Sequence, residues 1–174
     1  MFFLKILPKN FISSIVGKFV HCQLPFGISR YLLKKFIAFY SINTEEAEKN
    51  IDQYHTIGEF FIRRLKPGSR KIENNIVSPV DGSVEACGLV ENDHVLQVKG
   101  QYYSLTKLLE NEEYSHRFKN GYFCTIYLAP FNYHRIHSPI SGKIIASSHI
   151  PGTLWPVNVK SVQSIPNLFV QNER

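Results

Sequence analysis

Apolar residues come in pairs along the first forty positions. In "NFISSIVGKFV" they are Phe11, Ile12, Ile15, Val16, Phe19 and Val20, with Ser13, Ser14, Gly17 and Lys18 between the pairs. A repeat of four puts all six on one helical face, so the spacing predicts an amphipathic helix. "RYLLKKFIAFY" predicts a second, with Leu32, Leu33, Phe36, Ile37 and Tyr40 facing one way and Lys34 and Lys35 another. The stretch from Ser41 to Ile72 also reads as helical. Asn43 or Thr44 is placed to cap the acidic turn of Glu45 and Glu46. A further helix is expected to begin at Thr56, with Glu59 three residues on completing a capping box, and to end before Pro67-Gly68. After Ile72 the texture changes to short β-type runs punctuated by Gly, Pro and Asn: "IVSPV", "GSVEACGLV", "HVLQVKG", "GYFCTIYLAP", "GKIIASSHI" and "LFVQ". "YSLTKLLENEE" interrupts them as a helical insert. Helices followed by a mainly antiparallel β region make an α+β fold.

Charge changes the picture at the N-terminus. Residues 1–40 hold Lys5, Lys9, Lys18, Arg30, Lys34 and Lys35 and no acidic residue. In the rest of the 174-residue chain 14 basic residues meet 14 acidic ones, so the whole net charge of +6 sits in the helical segment. A nucleic-acid binder would carry its basic patch over a folded face, so no nucleic acid is expected. Two readings of residues 1–40 remain open. A basic helix pair with Phe and Leu on its apolar face can lie in the interface of an anionic membrane. Equally, the helices can cover the core of a domain with their lysines solvated. No run of 18 apolar residues predicts a transmembrane span, and Lys5, Pro8, Lys9 and Lys18 interrupt any secretory signal. Cys22, Cys87 and Cys124 are odd in number and lack metal-ligand spacing, which points to a reducing cytoplasm.

The candidate chemistry lies in two related stretches. "VSPVDGSV" (Val77 to Val84) and "YHRIHSPISGKI" (Tyr133 to Ile144) share a Ser-Pro-x-x-Gly frame, with Asp81 in the first where the second has Ser141. Proline and glycine set up similar turns, and two such turns can bring Asp81 near the histidines. His134 and His137 admit three readings. As zinc ligands they lack the i,i+4 helical spacing and a third ligand, so no metal is expected. One of them can be a packed or surface residue. Or Asp81 can hold one imidazole in the tautomer that takes a proton from a hydroxyl nucleophile.

The chain resembles the phosphatidylserine decarboxylase proenzymes. Seven segments in family order carry the resemblance: "LPKNFISSIVGK", "FFIRRLKPGSRKI", "VSPVDGSV", "QVKGQYYSLTKLL", "YLAPFNYHRIHSPISGKI", "IPGTLWPVNVKSV" and "NLFVQNER". The resemblance implies a pyruvoyl-dependent enzyme that converts phosphatidylserine to phosphatidylethanolamine and CO₂. The pyruvoyl group arises by self-cleavage at a serine in a Leu-Gly-Ser-Thr-like motif and serves as the electron sink. It implies Asp81 and His137 as the charge-relay pair for that serine, and His134 as a second active-site histidine serving the lipid reaction. The only Gly-Ser pairs here are Gly68-Ser69 and Gly82-Ser83, neither in such a motif. The pyruvoyl-forming serine is therefore expected outside this chain, on an α chain that is its partner, with this chain a part truncated before the cleavage site and inactive alone. Residues 1–40 would be membrane-associating helices and 41–174 a partial α+β catalytic domain, peripheral on the cytoplasmic side of the cell membrane. Two other readings stand beside this one. The first is a non-catalytic truncated remnant that only binds membranes. The second, a lipoyl-like carrier modified at Lys143, lacks any use for the histidine pair.

Overall fold

The computed structural model of the chain describes residues 8–25 and 27–174. The N-terminal expectations that involve Lys5 and the rest of residues 1–7 therefore lie outside the described residues. The first predicted helix is present as α1 (Lys9–His21). It starts where Ile12 N–H donates to Pro8 O at 3.0 Å, a proline outside the first turn costing no hydrogen bond. None of its residues is buried. The second is α2 (Ile28–Phe39), which begins after Gly27 at φ 74°. It stops at Ser41, whose left-handed φ of 50° lets Ile42 N–H reach back to Ile37 O at 3.0 Å.

The chain forms two units, each built from segments distant in sequence. One comprises Ser14–Ser83 and Tyr127–Lys143. Its core is Leu33, Ile42, Tyr54 and Phe60, with Phe36, Ile37, Tyr40, Ile51 and Ile57 packed around it. The apolar face predicted for the second helix is thus the face that turns inward. Tyr54 and Phe60 meet edge-to-face at 5.3 Å, the arrangement that ring quadrupoles favour. Thr56 caps α3 (Ile57–Phe61) by accepting from Glu59 N–H at 3.0 Å. The Glu59 side chain closes the box on His55 N–H and not on the cap residue itself.

The helix expected from Thr44 onward does not form. Asn43 Oδ1 takes Glu45 N–H in a turn, and Ala47 pairs with Leu65 in an isolated antiparallel bridge. Glu48 N–H donates to Arg64 O at 2.9 Å and Lys66 N–H to Glu46 O at 2.8 Å. The backbone is satisfied across the pair, and only a 3₁₀ turn (Ile51–Gln53) remains of the helical pattern.

The other unit contains Val84–Ile126 and Ile144–Arg174 together with the segment up to Ser13. β1 (Ser83–Leu89) is hydrogen-bonded to β4 (Tyr122–Tyr127), while β2 (His94–Val98) and β3 (Gln101–Ser104) form an antiparallel hairpin with Val95 opposite Tyr103. The helical insert is two short helices, α4 (Leu105–Leu109) and α5 (Glu112–Arg117). Asp93 anchors them: it accepts from Thr106 N–H at 2.7 Å and from the hydroxyls of Thr106 and Ser104. Val90, Val95 and Tyr103 are the core. α6 (Val159–Ser164) and α7 (Leu168–Gln171) follow. Buried Gln97 ties them to β2, donating to Val162 O and Ile165 O at 2.8 Å each and accepting from Leu168 N–H at 2.9 Å. The expected strand "LFVQ" is therefore a helix. It follows a left-handed Asn167, and Leu168 is buried beside the hairpin. "GKIIASSHI" and "IVSPV" run as irregular chain, the first largely exposed. Helices with antiparallel pairing make the fold α+β, as the pattern predicts. Among the described residues no helix is long and apolar enough to cross a membrane.

Candidate active site

The two Ser-Pro frames lie against each other. His137 N–H donates to Pro79 O at 2.8 Å, and Val77 N–H donates to Pro139 O at 3.0 Å. The two bonds are equivalent under exchange of the frames, so Ser78 lies opposite Ser138 about a local two-fold. Each serine makes the same local bond, Ser78 Oγ to Val80 O and Ser138 Oγ to Ile140 O, both 2.6 Å. The echo in sequence is an echo in structure, because both turns use the hydroxyl to close on the carbonyl two residues ahead.

This pairing brings two of the three predicted residues to one cavity. Asp81 and His137 both line a cavity of about 500 Å³ within the first unit. Its other polar lining includes Arg64, Lys66, Arg70, Tyr133, Arg135 and the frame serines. Asp81 and His137 are not bonded to each other. Asp81 Oδ2 accepts from Arg70 Nε at 2.6 Å. His137 Nε2 is 2.9 Å from the Tyr133 hydroxyl, four residues earlier, and the two rings stack.

His134 has different surroundings, as the three-residue offset implies. It stacks on Phe61 at 3.9 Å between centroids, and its Nε2 donates to Ala129 O at 2.9 Å. A carbonyl only accepts, so the neutral ring carries its hydrogen on Nε2 and leaves Nδ1 as an acceptor. Burial holds its pKa below the usual imidazole value, the Arg63 charge adds to this, and the bond to Ala129 pulls the other way. Arg63 is itself buried, with NH2 reaching Phe131 O and Asn132 O at 3.4 Å each and Nε and NH1 without a hydrogen-bond partner among the described residues.

Sequence reasoning missed three participants: Tyr133, Arg70 and Glu46. Tyr133 stands in the quoted motif, and its i,i+4 offset from His137 was a signal available to be read. Arg70 lies in the cation-rich "RRLKPGSRK", which marks a basic region but not a role. Glu46 had no signal, because its place depends on the Ala47–Leu65 bridge. The Lys66–Ser69 turn at Pro67 and Gly68 then returns Arg70 to that bridge, with Ser69 N–H on Lys66 O at 3.1 Å and Gly68 at φ 81°. Among the described residues no cluster of metal-ligating side chains occurs.

A family model described as phosphatidylserine decarboxylase matches residues 57–174, which include both Ser-Pro frames. The chain is 42% identical over 174 residues to a phosphatidylserine decarboxylase proenzyme of Anaeromyxobacter sp. (strain K), covering 98% of this chain and 61% of the relative. It is 40% identical to that of Myxococcus xanthus (strain DK1622), covering 98% and 62%. With that of Brevibacillus brevis (strain 47) it shares 41% over 172 residues, covering 97% and 60%. The chain thus spans about three fifths of the length of these curated relatives. On the match across residues 57–174, and on relatives that align with nearly all of it, the chain belongs to the phosphatidylserine decarboxylase family.

Proposed function

We propose that this chain is part of a phosphatidylserine decarboxylase, in which Asp81 and His137 prepare a serine for self-cleavage and His134 serves the lipid reaction. The observation that carries the reading is the paired Ser-Pro frames. They hold an aspartate and a histidine at one cavity through backbone hydrogen bonds, so that neither side chain is used to join the frames. A serine hydroxyl becomes a nucleophile when an imidazole takes its proton, and a carboxylate keeps that imidazole in the useful tautomer. His137 Nε2 already meets one hydroxyl, that of Tyr133, so the nitrogen accommodates an O–H at hydrogen-bond distance.

The cavity also suits the substrate class. Its cationic lining includes Arg64 and Lys66, which have no carboxylate partner among the described residues, and Arg135, which gives Nε to Ile62 O. A headgroup bearing a phosphodiester and a carboxylate is anionic twice over, and guanidinium groups match both oxyanions. The same donors suit the carbonyls of a pyruvoyl group, borne by a partner α chain, as the cofactor. When bound, that group supplies an electrophilic carbonyl that draws electrons from the substrate carbon as CO₂ leaves. His134, with Nε2 given to Ala129 O, keeps Nδ1 as the ring acceptor that a part in orienting the substrate would use. The exposed face of α1 carries Phe11, Ile15, Val16 and Phe19 and, with its lysines, suits a peripheral place on an anionic bilayer at the cytoplasmic face.

The test uses the complete open reading frame that contains this chain. Asp81→Asn and His137→Ala are expected to leave a single full-length band on a denaturing gel, slowing cleavage by about 10²-fold or more. His134→Ala is expected to cleave while losing CO₂ release from phosphatidylserine vesicles. Equal loss of cleavage in His134→Ala and His137→Ala, with both folded, would sink this division of roles.

A further inference from the structure

The relay reading needs an aspartate that is aimed, and Asp81 sits on a turn with its side chain about one-third exposed. A carboxylate there has two free torsions and a solvent to point into. Arg70 removes that freedom. Its Nε–H donates to Asp81 Oδ2 at 2.6 Å, while NH1 and NH2 grip Glu46 Oε1 and Oε2 at 3.0 and 2.9 Å. NH1 also donates to Ser69 O at 2.6 Å. With the side edge on one carboxylate and the far edge on another, the planar group cannot turn without breaking several charge-assisted bonds.

The anchor at the far end is firm. Glu46 belongs to the backbone pairing with residues 64–66, whose bridge residue Ala47 is buried. The pairing of charge follows the bonds. The Arg70 hydrogen bond holds the Glu46 carboxyl below its usual range, and Glu46 is the main reason the guanidinium holds its proton more firmly than usual. One cation between two carboxylates leaves the group with a net negative charge.

We propose that Arg70, anchored on Glu46, is the positioning residue for Asp81, fixing the carboxylate through Oδ2 so that Oδ1 is presented to the His137 ring. The inference rests on the relay reading above. The backbone bond from His137 to Pro79 helps bring the two residues to one cavity, and the Arg70 clamp fixes one oxygen of the acid there. Lysine cannot replace arginine here, because one ammonium has no pair of edges to serve both carboxylates at once.

The experiment is a double-mutant cycle on the 174-residue chain, read by long-range ¹⁵N–¹H spectra that report which ring nitrogen of neutral His137 carries the hydrogen. Asp81→Asn is expected to redistribute that hydrogen when Arg70 is present. In an Arg70→Ala background most of that response is expected to vanish, and Glu46→Gln and Arg70→Lys should each weaken it. The cycle cancels the direct effect of Arg70, and of Arg64, Lys66, Lys71 and Arg135 in the same cavity, since each comparison changes only residue 81. A purely structural role would not move the cycle: the His134 signals, from the same unit, report whether the fold is kept. An undiminished response to Asp81→Asn in folded Arg70→Ala overturns the proposal and leaves the relay reading standing. No response even with Arg70 in place sinks both.

Discussion

His134 and His137 stand three residues apart and sit in different surroundings. His137 lines an open cavity. His134 is packed on Phe61 with its Nε2 committed to a carbonyl. The lowered pKa of His134 makes a prediction about stability. The folded chain binds this proton less readily than the unfolded chain, so the unfolded state takes up more protons between the depressed folded value and the ordinary value of about 6.5. The contribution is fully present above pH about 6.5 and is lost as pH falls through the folded value. Chemical denaturation from pH 7.5 down to 5 is expected to show a decline that His134→Phe, which keeps the stack, reduces. An unchanged pH slope in that variant would contradict the assignment.

At the scale of elements, the two N-terminal helices with similar patterns have different fates. α2 spends its apolar face on the core, with Leu33 fully buried. α1 leaves Phe11 65% and Phe19 50% exposed, with Ile15 and Val16 also out. If this face enters a bilayer, Phe11→Ser, Ile15→Ser and Phe19→Ser together should weaken binding to anionic vesicles at least about tenfold, since each large side chain moved out of water contributes more than about 1 kcal/mol. Added salt should weaken the wild type as well, through the roughly 1 kcal/mol that each lysine near the surface contributes. Equal sedimentation of the triple variant and the wild type would remove α1 from any membrane role. Both helices were legible from their spacing. Which of them a core would claim was not, because the pattern records a face and not its partner.

At the scale of the whole chain, each unit draws on segments separated by tens of residues, and this bears on where the chain can be cut. Leu33 sits in one core with Ile42, Tyr54 and Phe60. A chain beginning at Ser41 removes it along with Phe36 and Ile37, and is expected to lose cooperative melting of that unit. A chain beginning at Pro25 keeps α2 and its first backbone bond, Ile28 N–H to Pro25 O at 3.2 Å, and should retain the transition. Leu33→Ala alone should cost about 2–5 kcal/mol, the range for a buried leucine whose cavity does not collapse. Calorimetry of the three chains checks this, and a shared transition in the Ser41 chain would show that α2 is dispensable.

The sequence alone determined the helical faces of α1 and α2, the cap at Thr56, the α+β order and the likeness of the two Ser-Pro frames, because each depends on residues within a few positions of one another. It also singled out Asp81, His134 and His137 as candidates for chemistry. Only the tertiary structure decided that the frames pair, that residues 44–50 give up a helix for the bridge at Ala47, and that "LFVQ" becomes a helix beside the hairpin. It likewise decided that Arg70 reaches from Glu46 to Asp81, over 24 and 11 residues of sequence. Local periodicity carries propensity. Hydrogen bonds and ion pairs between distant segments form only once the chain has closed the loops between them, and a short window of sequence holds no record of which loops close.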